Sequence, residues 1–206
     1  MTKKRAFTLT ELMIAVGIIG VISAMTVPSL VNNYQKSANA IQLRKVLNEI
    51  TAAADMLTTE ESKQHFDQTS AFRNIDSFFN QRFKVIKSCD SRDDGCFYGG
   101  AYKAIASTSA SSLTLNNNHY LLANSAAIYP ISITRAAGNH EASYIDLYID
   151  INGPDSPNTG GRDMFYVRLN GEGEIVPPNN NSTCTNSNIG DGCYRRLLND
   201  NWKMEY

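Results

Sequence analysis

The strongest constraint on this chain is a long apolar run that follows a basic cluster at its N-terminus. Basic residues occupy positions 3–5, and the run extends from Ala6 to Leu30, where hydroxyl groups and the carboxylate of Glu11 are the polar side chains. About 20 apolar residues suffice for a helix to cross the hydrocarbon core of a bilayer. Basic residues before such a helix favour a cytoplasmic N-terminus. The pattern predicts a single membrane-spanning helix with the rest of the chain outside.

Glu11 is the residue in this run that needs an explanation. A cleaved secretory signal would have a short apolar core and a small-x-small site, which Ser23-Ala24 fits poorly. A plain membrane anchor would gain stability by losing the charge. An ionisable group inside a membrane segment generally has a function and a partner. The sequence therefore predicts that a cationic group meets Glu11.

The stretch KKRAFTLTELMIAVGIIGVISAMTVPSL closely resembles the N-terminal segment of type IV prepilins and type II secretion pseudopilins. The resemblance rests on the basic leader, the word FTLTE, the apolar run and Pro28 near its outer end. It implies that prepilin peptidase cuts between Ala6 and Phe7 and methylates the new amine of Phe7. That amine, on a neighbouring subunit, would be the partner that makes a buried Glu11 tolerable. The family favours Gly before the cut, where this chain has Ala6, which is still small enough for a tight protease subsite.

The resemblance also implies the domain organisation. Residues 1–6 would form the leader peptide and residues 7–30 the transmembrane and filament-core helix, with a kink at Pro28. Apolar residues continue at three- or four-residue steps through residues 31–57, which predicts an amphipathic helical stem. Residues 58–206 would form an extracytoplasmic globular head whose C-terminal region is stapled by a disulfide.

The expected fold class is α+β, with the type IV pilin-like arrangement that the resemblance implies. The long N-terminal helix would pack on an antiparallel sheet of about four or five strands. SSLTLNNNHYLLAN predicts a hairpin around Asn116–Asn118, and a short helix is expected near Tyr194–Asn199. The remaining strands are predicted in AAIYPISIT, ASYIDLYIDI, DMFYVRLN and EGEIV.

Four cysteines form two pairs that are close in sequence. They are Cys89 with Cys96 and Cys184 with Cys193. In an extracytoplasmic domain they would form two disulfides, and local pairing is favoured among the three possible connectivities. The spacing lacks the C-x-x-C hooks of zinc knuckles, so it does not favour a metal. The three histidines are far apart in sequence and give no metal-ligand spacing; they are His65, His119 and His140.

The loop DINGPDSPNTGGRD, residues 150–163, concentrates oxygen donors around glycines. Its candidate ligands are Asp150, Asn152, Asp155, Asn158 and Asp163. Such hard oxygen donors suit Ca²⁺, although the spacing and the missing closing Glu exclude an EF-hand. A similar stretch occurs in many pilin-like heads, and major pseudopilins bind calcium near this region. A polar turn without a metal explains the same composition, so both interpretations stay open.

Composition and motifs limit the function classes. With 19 basic and 20 acidic residues, the chain lacks the broad basic surface that would make nucleic acid its main partner. Its motifs do not predict an enzyme, because paired catalytic carboxylates, a nucleophile elbow and a phosphate loop are missing from the sequence.

The resemblance implies a structural subunit, a pilin or minor pilin that assembles through its N-terminal helix into a type IV pilus. The implied partners are prepilin peptidase, other pilin or pseudopilin subunits, the inner-membrane assembly platform and, before assembly, the lipid bilayer. The head would be periplasmic on a single-pass protein of the bacterial inner membrane, and then part of a pilus or pseudopilus. The alternatives are a type II secretion pseudopilin and a low-abundance tip pilin that acts as an adhesin or binding module.

Overall fold

The computed structural model describes residues 8–91, 94–106, 110–140, 142–179, 182–187 and 189–206. Its first element, helix α1, spans Leu9–Glu60. The chain divides into two compact units, Met1–Ala38 and Asn39–Tyr206.

In the first unit, the described residues belong almost entirely to α1. The helix includes Pro28, and the hydroxyl of Thr26 donates a hydrogen bond of 3.0 Å to the carbonyl oxygen of Ile22. The kink at Pro28 stays a prediction. By length and composition, α1 is apolar and long enough to cross a membrane.

Among its described residues, the second unit contains two sheets and three short α-helices besides the end of α1. The helices are α2 (Ser70–Arg73), α3 (Ile75–Arg82) and α4 (Cys193–Asn199). The strands are β1 (Val85–Cys89), β2 (Ala101–Lys103), β3 (Ala110–Ser112), β4 (His119–Leu122), β5 (Ala127–Thr134), β6 (Tyr144–Asp150), β7 (Met164–Asn170) and β8 (Ile175–Val176). Six strands form an antiparallel sheet in the order β1-β4-β5-β6-β7-β8, and β2 pairs with β3 in a small separate sheet.

These elements confirm the predicted α+β class, with a long N-terminal helix followed by an antiparallel sheet. The sheet has six strands instead of four or five, because residues 85–89 form an additional edge strand. The hairpin predicted around Asn116–Asn118 is wrong, since β3 and β4 lie in different sheets. Leu113 and Leu115 between them are buried in a second core cluster, so this segment crosses from one sheet to the other.

The main core lies between the C-terminal part of α1 and the large sheet. Eight α1 residues are buried: Ala40, Leu43, Val46, Leu47, Ile50, Ala53, Ala54 and Leu57. Alternate residues of β6 and β7 complete the core, and they are paired across the strands as Ile145 with Leu169, Leu147 with Val167, and Ile149 with Phe165. The period of two in the strands and the period near 3.6 in the helix bring the two apolar faces into one core.

Candidate functional sites

The start of α1 is a capping box formed by Thr8 and Glu11. The backbone N–H and the hydroxyl of Thr8 donate to Oε2 of Glu11 at 2.8 and 2.9 Å. In return, the backbone N–H of Glu11 donates to Oγ1 of Thr8 at 3.2 Å. This reciprocal pattern is the T-x-x-E signal of a helix N-terminus, which the sequence reasoning above overlooked. Within a single chain, Glu11 therefore already has hydrogen-bond donors. The predicted processing residues, Ala6 and Phe7, lie outside the described residues.

After Glu11, the helix presents large apolar side chains to the surroundings. Among them, Met25 is 75% exposed and Leu30 is 71% exposed. Between Glu11 and Leu30 the others are Leu12, Met13, Ile14, Val16, Ile18, Ile19, Val21, Ile22 and Val27. Soluble proteins rarely expose continuous apolar surfaces of this kind, which mark contacts with lipid or with other protein surfaces.

The cysteines form two local disulfides, the pairing that their spacing favoured. Cys89 at the end of β1 is joined to Cys96, with a Cα–Cα distance of 6.3 Å. Cys184 is joined to Cys193, the first residue of α4, with a Cα–Cα distance of 4.4 Å. The second disulfide lies directly against the loop of residues 150–163, because a Cβ atom at Gly161 would be 2.5 Å from Sγ of Cys193. Gly161 also has a φ of +80°, a conformation that favours glycine.

His119 lies beside the first disulfide, although 23 residues separate it from Cys96. It is the cross-strand partner of Cys89 in the β1–β4 ladder, and one of its ring nitrogens lies within 4.8 Å of both sulfur atoms. All three side chains are buried. Nδ1 of His119 lies 3.0 Å from the carbonyl oxygen of Asn117, whereas the buried Nε2 has no hydrogen-bond partner in the described structure. Strand pairing, which the sequence reasoning missed here, creates this cluster.

The other two histidines stack on each other. The ring centroids of His65 and His140 are 3.8 Å apart with an interplanar angle of 15°. Each ring has its own carboxylate partner: Nδ1 of His65 lies 2.7 Å from Oε2 of Glu172, and Nδ1 of His140 lies 2.7 Å from Oδ1 of Asp67. These contacts join the 3₁₀ turn Phe66–Gln68 to the loops that flank β6 and β7.

The structure separates the five candidate calcium ligands into buried and exposed groups. Asp150 and Asp163 are fully buried and Asn158 is 5% exposed, whereas Asn152 is half-buried and Asp155 is exposed. The side-chain nitrogen of Asn152 donates to the carbonyl oxygens of Asp155 and Ser156 at 2.6 and 2.9 Å. The Oδ1 atoms of Asn152 and Asn158 are buried and have no hydrogen-bond partner among the described residues. These two orphaned amide oxygens are of the chemical type that Ca²⁺ prefers.

The two buried carboxyl groups are held by hydrogen bonds. Asp150 accepts from the hydroxyl of Tyr102 at 2.5 Å and from the backbone N–H of Asn152 at 3.2 Å. Asp163 accepts from the backbone N–H groups of Asn158 and Thr159, both at 2.6 Å. Each of the four carboxyl oxygens therefore accepts one hydrogen bond, and each can still accept a second hydrogen bond or bind a cation.

Burial shifts the titration of both acids in the same direction. It raises the pKa of Asp150 well above the ordinary value, and the nearby charge of Asp163 adds to the effect. Burial likewise raises the pKa of Asp163 to about 6, because desolvation outweighs its backbone hydrogen bonds. The pair is therefore most stable when a proton or another cation reduces its negative charge.

Comparison with known families identifies the N-terminal segment. Residues 1–27 match the family described as the prokaryotic N-terminal methylation motif. Comparison with curated proteins and with solved structures gives no match. The matched residues include Glu11 and most of the exposed apolar surface of α1. This chain thus carries the type IV pilin and pseudopilin signal, on a long apolar helix that fits a membrane-anchored precursor.

Proposed function

We propose that this protein is a structural subunit, a pilin or minor pilin, that assembles through α1 into a type IV pilus. The observation that carries the proposal is the methylation motif at residues 1–27, coupled to a helix whose apolar side chains are exposed beyond Glu11. Prepilin peptidase would cut between Ala6 and Phe7 at the cytoplasmic face of the inner membrane. The head would face the periplasm until the subunit enters the filament.

The chemistry of assembly centres on Glu11. In the precursor, the capping box with Thr8 supplies donors to the carboxylate. Processing creates a positively charged amine at Phe7, and in the filament this amine pairs with Glu11 of a neighbouring subunit. Leaving one member of a buried ion pair without its partner costs about 3–5 kcal/mol. The pair therefore favours the one register in which amine and carboxylate meet, and lateral packing of the apolar helices provides the bulk of the contact.

The direct test is the mass and N-terminal sequence of the protein extracted from membranes of its native host. A mature chain that begins with methylated Phe7 is the expected result. Ala6→Gly, which restores the residue that the family favours, should be processed at least as fast, whereas Ala6→Leu should accumulate as precursor because its side chain is larger. A chain that keeps Met1 in the cell would contradict the proposal.

A pseudopilin of a type II secretion system would carry the same motif and undergo the same processing. Abundance separates the roles: a pilin that forms the shaft dominates sheared filaments, and a tip pilin with an adhesive head is scarce in them. A pseudopilin stays in the periplasm, and its deletion blocks protein secretion. Quantitative mass spectrometry of sheared filaments and of the secreted fraction distinguishes these cases.

A further inference from the structure

The buried cluster of Cys89, Cys96 and His119 holds three metal-ligating side chains in one place. Among the described residues, it is the one group of three or more Cys, His, Asp or Glu side chains with ligand atoms all within 4.8 Å of one another. In the oxidised protein the two sulfur atoms are bonded to each other and therefore do not act as thiolate ligands for a metal. Reduction would return two sulfur ligands to a cluster that already contains an imidazole.

The state of His119 is suited to ligation. Its Nδ1 faces a carbonyl oxygen at 3.0 Å, so Nδ1 carries the proton and Nε2 carries the lone pair. That lone pair is buried without a donor in the described structure. A metal-bound histidine typically has this arrangement, in which one nitrogen donates to a carbonyl or carboxylate and the other binds the ion.

Charge balance also favours a divalent ion. The cluster lies among apolar and aromatic side chains, including Phe97 and Tyr129, whose rings are 5.7 and 5.9 Å from that of His119. Two buried thiolates alone would place two negative charges in this environment at a high desolvation cost. Two thiolates, a neutral imidazole and a divalent ion sum to zero.

We infer that the reduced pair Cys89 and Cys96, together with His119, forms a binding site for one divalent ion of the zinc class. Zinc accepts such a Cys₂His set, with sulfur at about 2.3 Å and nitrogen at about 2.0–2.1 Å, and leaves a fourth position for water. Disulfide and metal are then alternative states of one cluster. The metal-bound state requires a dithiol reductant, which gives two electrons to the disulfide and becomes a disulfide itself. A disulfide oxidant that takes two electrons from the two thiolates re-forms the Cys89–Cys96 bond and releases the ion.

The second disulfide provides a matched control within the same chain. Cys184 and Cys193 are also buried and are separated by nine residues, compared with seven for the first pair. No third Cys, His, Asp or Glu completes a cluster with them among the described residues. We therefore expect the reduced pair Cys89 and Cys96 to bind a metal and the reduced pair Cys184 and Cys193 not to bind one.

The experiment uses the full-length chain in detergent micelles with Co²⁺ as the probe. C184S/C193S leaves the first pair intact, and C89S/C96S leaves the second. Each protein is reduced anaerobically with a tertiary phosphine, which takes an oxygen atom from water as the two sulfurs gain two electrons and two protons. Titration with Co²⁺ then follows the thiolate-to-metal charge-transfer absorption, and Zn²⁺ competition gives the affinity for zinc.

The C184S/C193S protein should bind one Co²⁺ per chain with this absorption. Adding H119Q should weaken binding at least tenfold, whereas adding H65Q should leave it unchanged. Circular dichroism of each variant establishes that the head is folded. Three outcomes would overturn the inference: no charge-transfer band in the folded, reduced C184S/C193S protein, equal affinity after H119Q, or equal binding by C89S/C96S.

Discussion

At the scale of single residues, the buried acids of the loop between β6 and β7 make the stability of the head depend on pH. Raising the pKa of Asp163 from 3.8 to about 6 corresponds to about 3 kcal/mol. Between these two values, the unfolded chain releases a proton that the folded chain retains. The stabilisation is therefore complete below pH 3.8 and is lost as the pH rises through about 6.

We expect Asp150→Asn to reduce the dependence of stability on pH. The substitution removes one carboxyl group whose pKa is raised, and with it the negative charge that faces Asp163. The measurement is urea unfolding of the full chain in micelles at pH 4.5 and pH 7.5, followed by the fluorescence of Trp202, the single tryptophan. The wild-type head should be less stable at pH 7.5, and the difference should shrink in the variant. Asp155→Asn, which alters an exposed carboxyl group of the same loop, is the control and should retain the full difference.

The same variants distinguish the two interpretations of this loop that the sequence left open, a calcium site and a polar turn without a metal. If the ion replaces the proton as the source of positive charge, adding Ca²⁺ at pH 7.5 should raise the unfolding midpoint of the wild type. Asp150→Asn should abolish that increase. Equal midpoints with and without Ca²⁺ would favour the polar turn as the better description of residues 150–163.

At the scale of elements, α1 places apolar residues in two different environments. Ile50 is fully buried against the sheet, whereas Ile41, two to three turns earlier on the same helix, is 70% exposed. Ile50→Ala should lower the free energy of unfolding of the head by about 2–5 kcal/mol, because it leaves a cavity in the core. Ile41→Ala removes the same atoms from an exposed position and should change the free energy of unfolding by less than about 0.5 kcal/mol. Urea unfolding followed by Trp202 fluorescence measures both, and similar losses would contradict the assigned burial.

Sequence patterns predicted the elements whose signals are local and failed where distant segments meet. The apolar run and the rhythm through residues 31–57 indicated α1, and alternation indicated β6 and β7. The edge strand Val85–Cys89 was missed because three of its five side chains are exposed and it shows little apolar alternation. His119 gave no signal, since its neighbours in the cluster, Cys89 and Cys96, come from β1 and from the segment that follows β1. The paired burial of Asp150 and Asp163 also depends on tertiary packing, which a list of oxygen donors does not reveal.

At the scale of the whole molecule, the methylation motif and the exposed part of α1 predict how the protein responds to loss of Glu11. Glu11→Val should be inserted and processed normally, because it makes the helix more apolar. It should reduce the amount of the protein in sheared filaments at least tenfold, since the amine of Phe7 loses its partner. Glu205→Gln, an exposed glutamate near the other end of the chain, is the control and should assemble as the wild type does.

Quantitative immunoblotting of sheared and membrane fractions measures both variants. Equal amounts of Glu11→Val and wild-type protein in the filament fraction would show that the carboxylate has no part in assembly. The protein would then be better described as a membrane-tethered head.

The contact between Gly161 and the second disulfide also has a genetic consequence. Any side chain at position 161 would occupy the space of the Cys193 sulfur and would strain a backbone with φ of +80°. A missense change in this glycine codon would thus force the Cys184–Cys193 disulfide, more than 20 residues downstream, to shift from its position. Mutations at Gly161 should therefore have the same phenotype as mutations of Cys184 or Cys193. In each case we expect quality-control proteases to degrade the altered subunit.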